Sequence, residues 1–231
     1  MDKILSVHQP NYIPWLGYFH KILKSDLFIL FDNVLLPRGS SVANRNKIRD
    51  RDGNEILLSV PVKKENEGFM KYNEAKIDYL QNWQTKHLKS IQFNYSKAKF
   101  FNQYFEEVSR ILNKEYTSLG QLNIEFIRFI LKEIKIETEI ILLSEIQGDF
   151  GSKNDLIINL CKHFNANVYL SGHGAKAYND ENMYISNKIK LIYTEFIYPT
   201  YPQIKDNFIS NLSILDALFN CGGEETKKII E

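Results

Sequence analysis

Two periodicities of apolar residues follow one another at the start of the chain, and the change between them marks out the elements. Lys3–Val7 is a short apolar run that stops at His8-Gln9-Pro10-Asn11. Pro10 and Pro14 remove backbone donors there and force a loop. Gly17–Lys24 then carries Tyr18, Phe19, Ile22 and Leu23 at helical spacing. Leu27–Phe31 is apolar at every position, the pattern of a strand covered on both faces of a parallel sheet. The first 32 residues therefore predict a β-loop-α-β unit, whose crossover should be right-handed.

The period changes again further on. Val42–Arg49 and Glu55–Val62 flank Arg51-Asp52-Gly53-Asn54, which predicts an antiparallel β-hairpin at about 42–62, appended to the sheet. A helical block follows at about 80–134, in three stretches (Leu80–Phe93, Phe101–Leu112 and Leu119–Ile134) with apolar residues three and four apart. Strand is expected again at Glu139–Leu143, Asn167–Leu170 and Ile189–Phe196, with a helix at Asn154–Phe164. A last helix, Asn211–Asn220, should be closed by Gly222-Gly223. This order predicts an α/β fold: a mostly parallel open sheet flanked by helices, with an appended hairpin and a helical insertion, in a single domain over 1–231.

Composition narrows the class. With 44% hydrophobic and 25% charged residues the chain is an ordinary globular protein, and 231 residues can bury a core without a metal or disulfide staple. Lys+Arg 29 against Asp+Glu 28 leaves no polycationic field for nucleic acid. Cys161 and Cys221 form no CxxC pair, and no HExxH, GxSxG or EF-hand pattern occurs, so no metal site is expected. The N-terminus has no cleavable signal pattern and no run approaches 18 apolar residues. A cytoplasmic protein without a membrane span is the expectation.

Three loops leave the carboxyl ends of expected strands, where ligands of open parallel sheets bind: His8–Trp15, Asp32–Asn46 and Ser171–Tyr178. The first packs His8, Gln9, Asn11, Tyr12 and Trp15 around two rigid prolines, and His8 is the candidate general base. The second offers Asp32 as an orienting carboxylate, then Arg38, Asn44, Arg45 and Asn46, whose guanidinium forks suit phosphate. The third, Ser171-Gly172-His173-Gly174, could hold a diphosphate or an oxyanion on its backbone N–H groups; His173 is a second candidate acid or base and Tyr178 a further contact. Each has a plainer alternative in turn-capping or core packing, and Trp83, His87 and Cys161 are read as structural residues. The expectation is that the first and third segments meet above one edge of the sheet.

The run from His8 to Phe19 resembles the opening of the WbqC-like protein family. The likeness continues at Asn44-Arg45-Asn46, Trp83, His87, Val168–Gly172 with Gly174, Ala175 and Tyr178, then Tyr201-Pro202-Gln203 and Ser213–Gly222. His173 stands where the family pattern leads one to expect a proline. Membership would imply a bacterial protein of O-antigen or other surface-polysaccharide biosynthesis. The resemblance gives a pathway and not a reaction; the leading expectation, from that pathway and the polar loops together, is a transferase passing an acyl or aminoacyl group to a nucleotide-linked amino sugar, with no tightly bound cofactor and with a coenzyme A or acyl-carrier-protein thioester as donor. The alternatives are a nucleotidyl- or glycosyltransferase of the same pathway, or a non-catalytic nucleotide-sugar-binding or scaffold protein. A weaker likeness, of architecture alone, is to nucleotidyltransferases of α/β fold.

Overall fold

In the computed structural model, which describes residues 2–37, 41–63 and 70–231, the elements run β1 (Ile4–His8), α1 (Leu16–Leu23), β2 (Leu27–Leu30), β3 (Arg45–Arg49), β4 (Glu55–Ser59), α2 (Trp83–Tyr95), α3 (Phe101–Asn113), α4 (Leu119–Glu133), β5 (Glu139–Leu142), α5 (Lys153–His163), β6 (Val168–Ser171), α6 (Glu181–Ser186), β7 (Lys190–Tyr193) and α7 (Ile214–Ile230). The chain divides into two compact units, one of residues 1–9, 17–31 and 137–197, the other of residues 10–16, 32–136 and 198–231. No helix among the described residues is long and apolar enough to cross a membrane.

The first unit is the α/β layer that the sequence predicts. Its five strands are all parallel, in the order β5-β2-β1-β6-β7. Strand β2 is buried at every position, which is why Leu27–Leu30 has no polar alternation. The chain moves outward from β1 to β2 and β5, then returns to the other side of β1 for β6 and β7. The strand order therefore reverses between β1 and β6, which makes their carboxyl ends the topological switch point of the sheet. The ladder between them covers only Ile4–Val168 and Leu5–Tyr169, although β1 runs on to His8 and β6 to Ser171. Beyond that pair the two strands part.

The second unit holds the helical block and the hairpin. Strands β3 and β4 pair antiparallel from Arg45–Ser59 to Arg49–Glu55. They form a two-stranded sheet of their own, so the hairpin does not extend the parallel sheet as the sequence suggested. Its turn is closed by the Asp50 carboxylate, which accepts from Asp52 N and Asn54 N, with Gly53 at φ +90°. Helices α3 and α4 bury their apolar stripes, Tyr104, Val108 and Ile111 on one and Leu122, Phe126, Phe129 and Ile130 on the other.

Within α7 the helix that begins at Ile214 breaks at Gly222, as the reading of Gly222-Gly223 as a stop expects, but a second helical stretch follows at once. The chain leaves helical geometry at Gly222 (φ 79°, ψ 168°) and resumes it through Ile230. A tertiary contact holds the break in place: Gly223 N donates to Tyr104 Oη at 2.8 Å, and a Cβ on Gly223 would stand 2.2 Å from the Glu133 carbonyl oxygen. Gly223→Ala is expected to destabilise the protein by about 1–3 kcal/mol, because a backbone atom has to move to admit the methyl. Urea unfolding reads this directly, and an unchanged midpoint would show that the approach of α7 to α4 relaxes freely.

Candidate functional site

Within the first unit, the carboxyl ends of β1 and β6 bring together His8, Gln9, Ser171 and Gly172. Lys21, on α1, completes the group. Helix α1 turns Tyr18, Lys21 and Ile22 to one face, since positions three and four apart lie together. That face is the buried one. Lys21 is only 4% exposed, and its ammonium donates to the Val7 carbonyl oxygen at 2.7 Å. Val7 lies where β1 has already parted from β6, so the side chain satisfies a carbonyl that the ladder leaves open. A Cβ on Gly172 would stand 3.9 Å from Lys21 Nζ. Glycine has φ −70° there, so it is space near the amine rather than backbone conformation that a larger residue would take. The end of α1 is pinned by a chain of hydroxyls: Ser25 Oγ donates to the Lys21 carbonyl and lies 2.6 Å from Ser6 Oγ.

Among the described residues no carboxylate forms an ion pair with Lys21, so burial acts on it unopposed. Desolvation pulls its pKa down to about 7. An amine held there exchanges its proton at neutral pH, which suits a general base, a nucleophile or a switchable cation. His8 keeps part of its surface open, yet enough protein surrounds the ring for desolvation to dominate. Burial first, then the Lys21 charge, bring its pKa down to about 3. Its Nδ1 lies 3.1 Å from the Gln9 carbonyl oxygen, and because a carbonyl only accepts, Nδ1 carries the proton. The ring is therefore neutral at pH 7 with Nε2 as its basic atom. Tyr18 holds it edge-on at 4.8 Å between centroids and donates its hydroxyl to the same Gln9 carbonyl.

On the β6 side Ser171 is fully buried, and its Oγ accepts from Asn179 Nδ2 at 2.9 Å. Gly172 opens a short 3-10 turn, His173–Ala175, instead of a regular helix. His173 is exposed, Gly174 has open space around it and Tyr178 is 80% exposed.

The remaining candidates lie in the second unit. Tyr12 is fully buried, with its hydroxyl 2.9 Å from His87 Nδ1 and its ring edge-on to Phe126. Asn11 and Asp32 are buried too. Asn44 Nδ2 donates to the Val60 carbonyl and closes the open end of the hairpin. Trp15, Arg45 and Asn46 line a cleft of about 550 Å³ together with Val42, Tyr198 and Asn211. Arg38 lies outside the described residues. Trp83, His87 and Cys161 are buried, as their structural reading expects.

Sequence reasoning missed Lys21. The signal was present, because a lysine three residues after Tyr18 and next to Ile22 falls on the apolar face of α1. Among the described residues no group of three or more His, Cys, Asp or Glu stands close enough to hold a metal ion. The geometry thus offers an amine near its neutral point, a neutral imidazole, and backbone N–H groups at the end of β6.

The chain is 32% identical over 224 residues to the uncharacterized protein Rv1507c of Mycobacterium tuberculosis (strain ATCC 25618 / H37Rv), a match that covers 96% of this chain and 95% of that protein. No solved structure is significantly similar to it. The model of the WbqC-like protein family matches residues 9–228, from the residue after β1 almost to the C-terminus. The chain belongs to the WbqC-like protein family.

Proposed function

We propose that the protein is a transferase acting on a nucleotide-linked amino sugar in bacterial surface-polysaccharide biosynthesis, and that it passes an acyl or aminoacyl group to the sugar amine. The observation that carries this reading is the buried Lys21 amine at the β1–β6 switch point, with a pKa near 7 and beside His8 and Gly172. In the forward step the sugar amine attacks the carbonyl carbon of a thioester. Lys21 takes the proton that the amine loses as the C–N bond forms. The oxyanion of the tetrahedral intermediate accepts from backbone N–H groups of the Gly172–Gly174 turn. The C–S bond then breaks, and the thiolate leaves with the electron pair. His8, fixed in one tautomer, accepts a hydroxyl or amine proton of the sugar through Nε2 and orients it.

A second reading has support in the strand order, since doubly wound sheets hold nucleotide phosphates at such a switch point. In nucleotidyl or glycosyl transfer Lys21 would serve as a cation on the phosphates.

One assay separates the readings. Purified protein, given UDP- or dTDP-amino sugar and acetyl-coenzyme A, is expected to yield an amide-linked product by mass spectrometry and one free thiol per turnover. Lys21→Met should lower kcat by about 10²–10⁴-fold, the usual contribution of a positioned general base. His8→Gln should raise KM more than it lowers kcat. Pyrophosphate release from a nucleoside triphosphate and a sugar 1-phosphate, without thiol release, would move the assignment to nucleotidyl transfer. Saturable binding without product from either pair would make the protein a non-catalytic binder.

A further inference from the structure

The aromatic-walled cleft of the second unit belongs to no part of that reaction, and its construction calls for a ligand. Its walls are fixed at the expense of backbone conformation. Ile13 has φ +41°, a left-handed value that a β-branched residue adopts only under constraint. The constraints are visible: Asn46 Nδ2 donates to the Ile13 carbonyl at 2.6 Å, Ile214 N donates to the Pro14 carbonyl, and Trp15 bridges to Ser213. The strained turn sets Trp15 at the edge of the cleft. The other wall, Tyr198, donates its hydroxyl to Asn211 Oδ1 at 2.8 Å. Val42 and Leu57 present apolar surface between them, each 48% exposed.

The polar lining is one-sided. Asn46 spends its amide on Ile13 and its oxygen on Lys47 N, and Asn211 spends its oxygen on Tyr198, which leaves Asn211 Nδ2 as a donor. Lys47 pairs with Glu55 at 2.5 Å, whereas Arg45 has no ion-pair partner among the described residues. The cleft therefore offers aromatic faces and hydrogen-bond donors with one uncompensated guanidinium. Its volume of about 550 Å³ lies within the 300–1,000 Å³ usual for small-molecule sites.

We infer that this cleft is a binding site for a phosphorylated sugar, with the pyranose ring lying on Trp15 and Tyr198 and the phosphate on Arg45. A pyranose presents flat C–H faces to aromatic rings and acceptor oxygens to donors. A phosphate supplies the charge that Arg45 lacks, in the two-pronged geometry a guanidinium favours. The inference does not rest on acyl transfer, because its test reads binding alone.

The sequence has two tryptophans, which makes the test direct. Trp83 is buried with no hydrogen-bond partner for Nε1 among the described residues, so Trp83→Phe forfeits no bond and leaves Trp15 as the sole tryptophan, which is excited at wavelengths where tyrosine does not absorb. In that background, titration with glucose 1-phosphate is expected to change Trp15 emission saturably. Arg45→Gln should weaken this binding by about tenfold or more, the loss of one charged hydrogen bond, and leave methyl glucoside binding unchanged. Tyr198→Ala should weaken both. Circular dichroism confirms that each variant is folded, and Arg45→Gln is a partly exposed change that spares the core. Three results would each overturn the inference: no saturable signal, a signal indifferent to Arg45→Gln and Tyr198→Ala, or inorganic phosphate binding as tightly as the sugar phosphate. Uridine monophosphate binding where glucose 1-phosphate does not would replace the carbohydrate by a nucleobase and equally defeat it.

Discussion

Asp216→Ala is expected to cost about 3–5 kcal/mol of stability, enough to bring a typical domain close to unfolding at 37 °C. Asp216 is fully buried at the start of α7 and accepts three hydrogen bonds, from Tyr95 Oη and Tyr201 Oη at 2.8 Å each and from Gln203 Nε2 at 2.8 Å. Behind these donors stands Arg49, only 2% exposed, whose guanidinium donates to the Gln203 side chain and to Asn207. Burial pushes the Asp216 carboxyl pKa up, while the three donors and the Arg49 charge pull the other way. Removing the carboxylate leaves the buried Tyr95 and Tyr201 hydroxyls without their acceptor and Arg49 without a buried counter-charge, while Gln203 Nε2 keeps the Ile209 carbonyl; each orphaned donor costs about 1–3 kcal/mol. Asp216→Asn should be milder, since one amide oxygen still accepts while the amide nitrogen faces a donor. Urea unfolding measures both. A wild-type midpoint in the alanine variant would mean that water replaces the carboxylate without penalty and that the network does not hold this unit together.

The same network shows why much of the fold could be read from sequence while the chemistry could not. Leu27–Leu30 announced a buried parallel strand because every position is apolar, and Leu122, Phe126, Phe129 and Ile130 announced α4 by their spacing. Such signals are local. Asp216 and Arg49, by contrast, look like two surface charges until residues far apart in sequence bring Tyr95, Tyr201 and Gln203 around them. Glycines show both sides: Gly222 ends the first stretch of α7 as its composition announces, whereas the close approach of Gly223 to the Glu133 backbone and the helical stretch beyond it rest on a tertiary contact.

The candidate site was legible in part. Proline stiffening of His8–Trp15 singled out a loop at the end of β1, and His8 and Ser171–Gly172 do end the two strands that flank the switch point. The loop itself then passes from the first unit to the second at Pro10, and so Trp15, Arg45 and Asn46 line a cleft of their own. Sequence proximity grouped residues that the fold places in separate units. Lys21 went unread because a lysine is ordinarily a solvated face, and only the parting of β1 from β6 exposes the carbonyl that receives it.

That burial has a thermodynamic signature that should dominate the pH dependence of stability. Lys21 has a pKa of about 7 in the folded protein, against 10.5 when unfolded. Between these values the unfolded chain binds a proton that the folded one does not, so stability rises with pH from about 7 to 10.5. A full shift of this size corresponds to about 5 kcal/mol. Below pH 7 both states are protonated, and the folded protein carries the whole penalty of a buried ammonium. His8 adds a second limb on the acid side: its folded pKa of about 3 lies below 6.5, so stability falls as pH drops through that interval. Lys21→Met keeps the length of the side chain and removes the charge. The variant should be more stable than wild type at pH 7 and below, and its stability should no longer climb between pH 7 and 10. Without the neighbouring cation His8 should titrate at a higher pH, which NMR of the imidazole would register. Urea titrations of both proteins across pH 5–10 decide the matter; parallel profiles would place the Lys21 amine in solvent, and with it would go the base on which the proposed transfer depends.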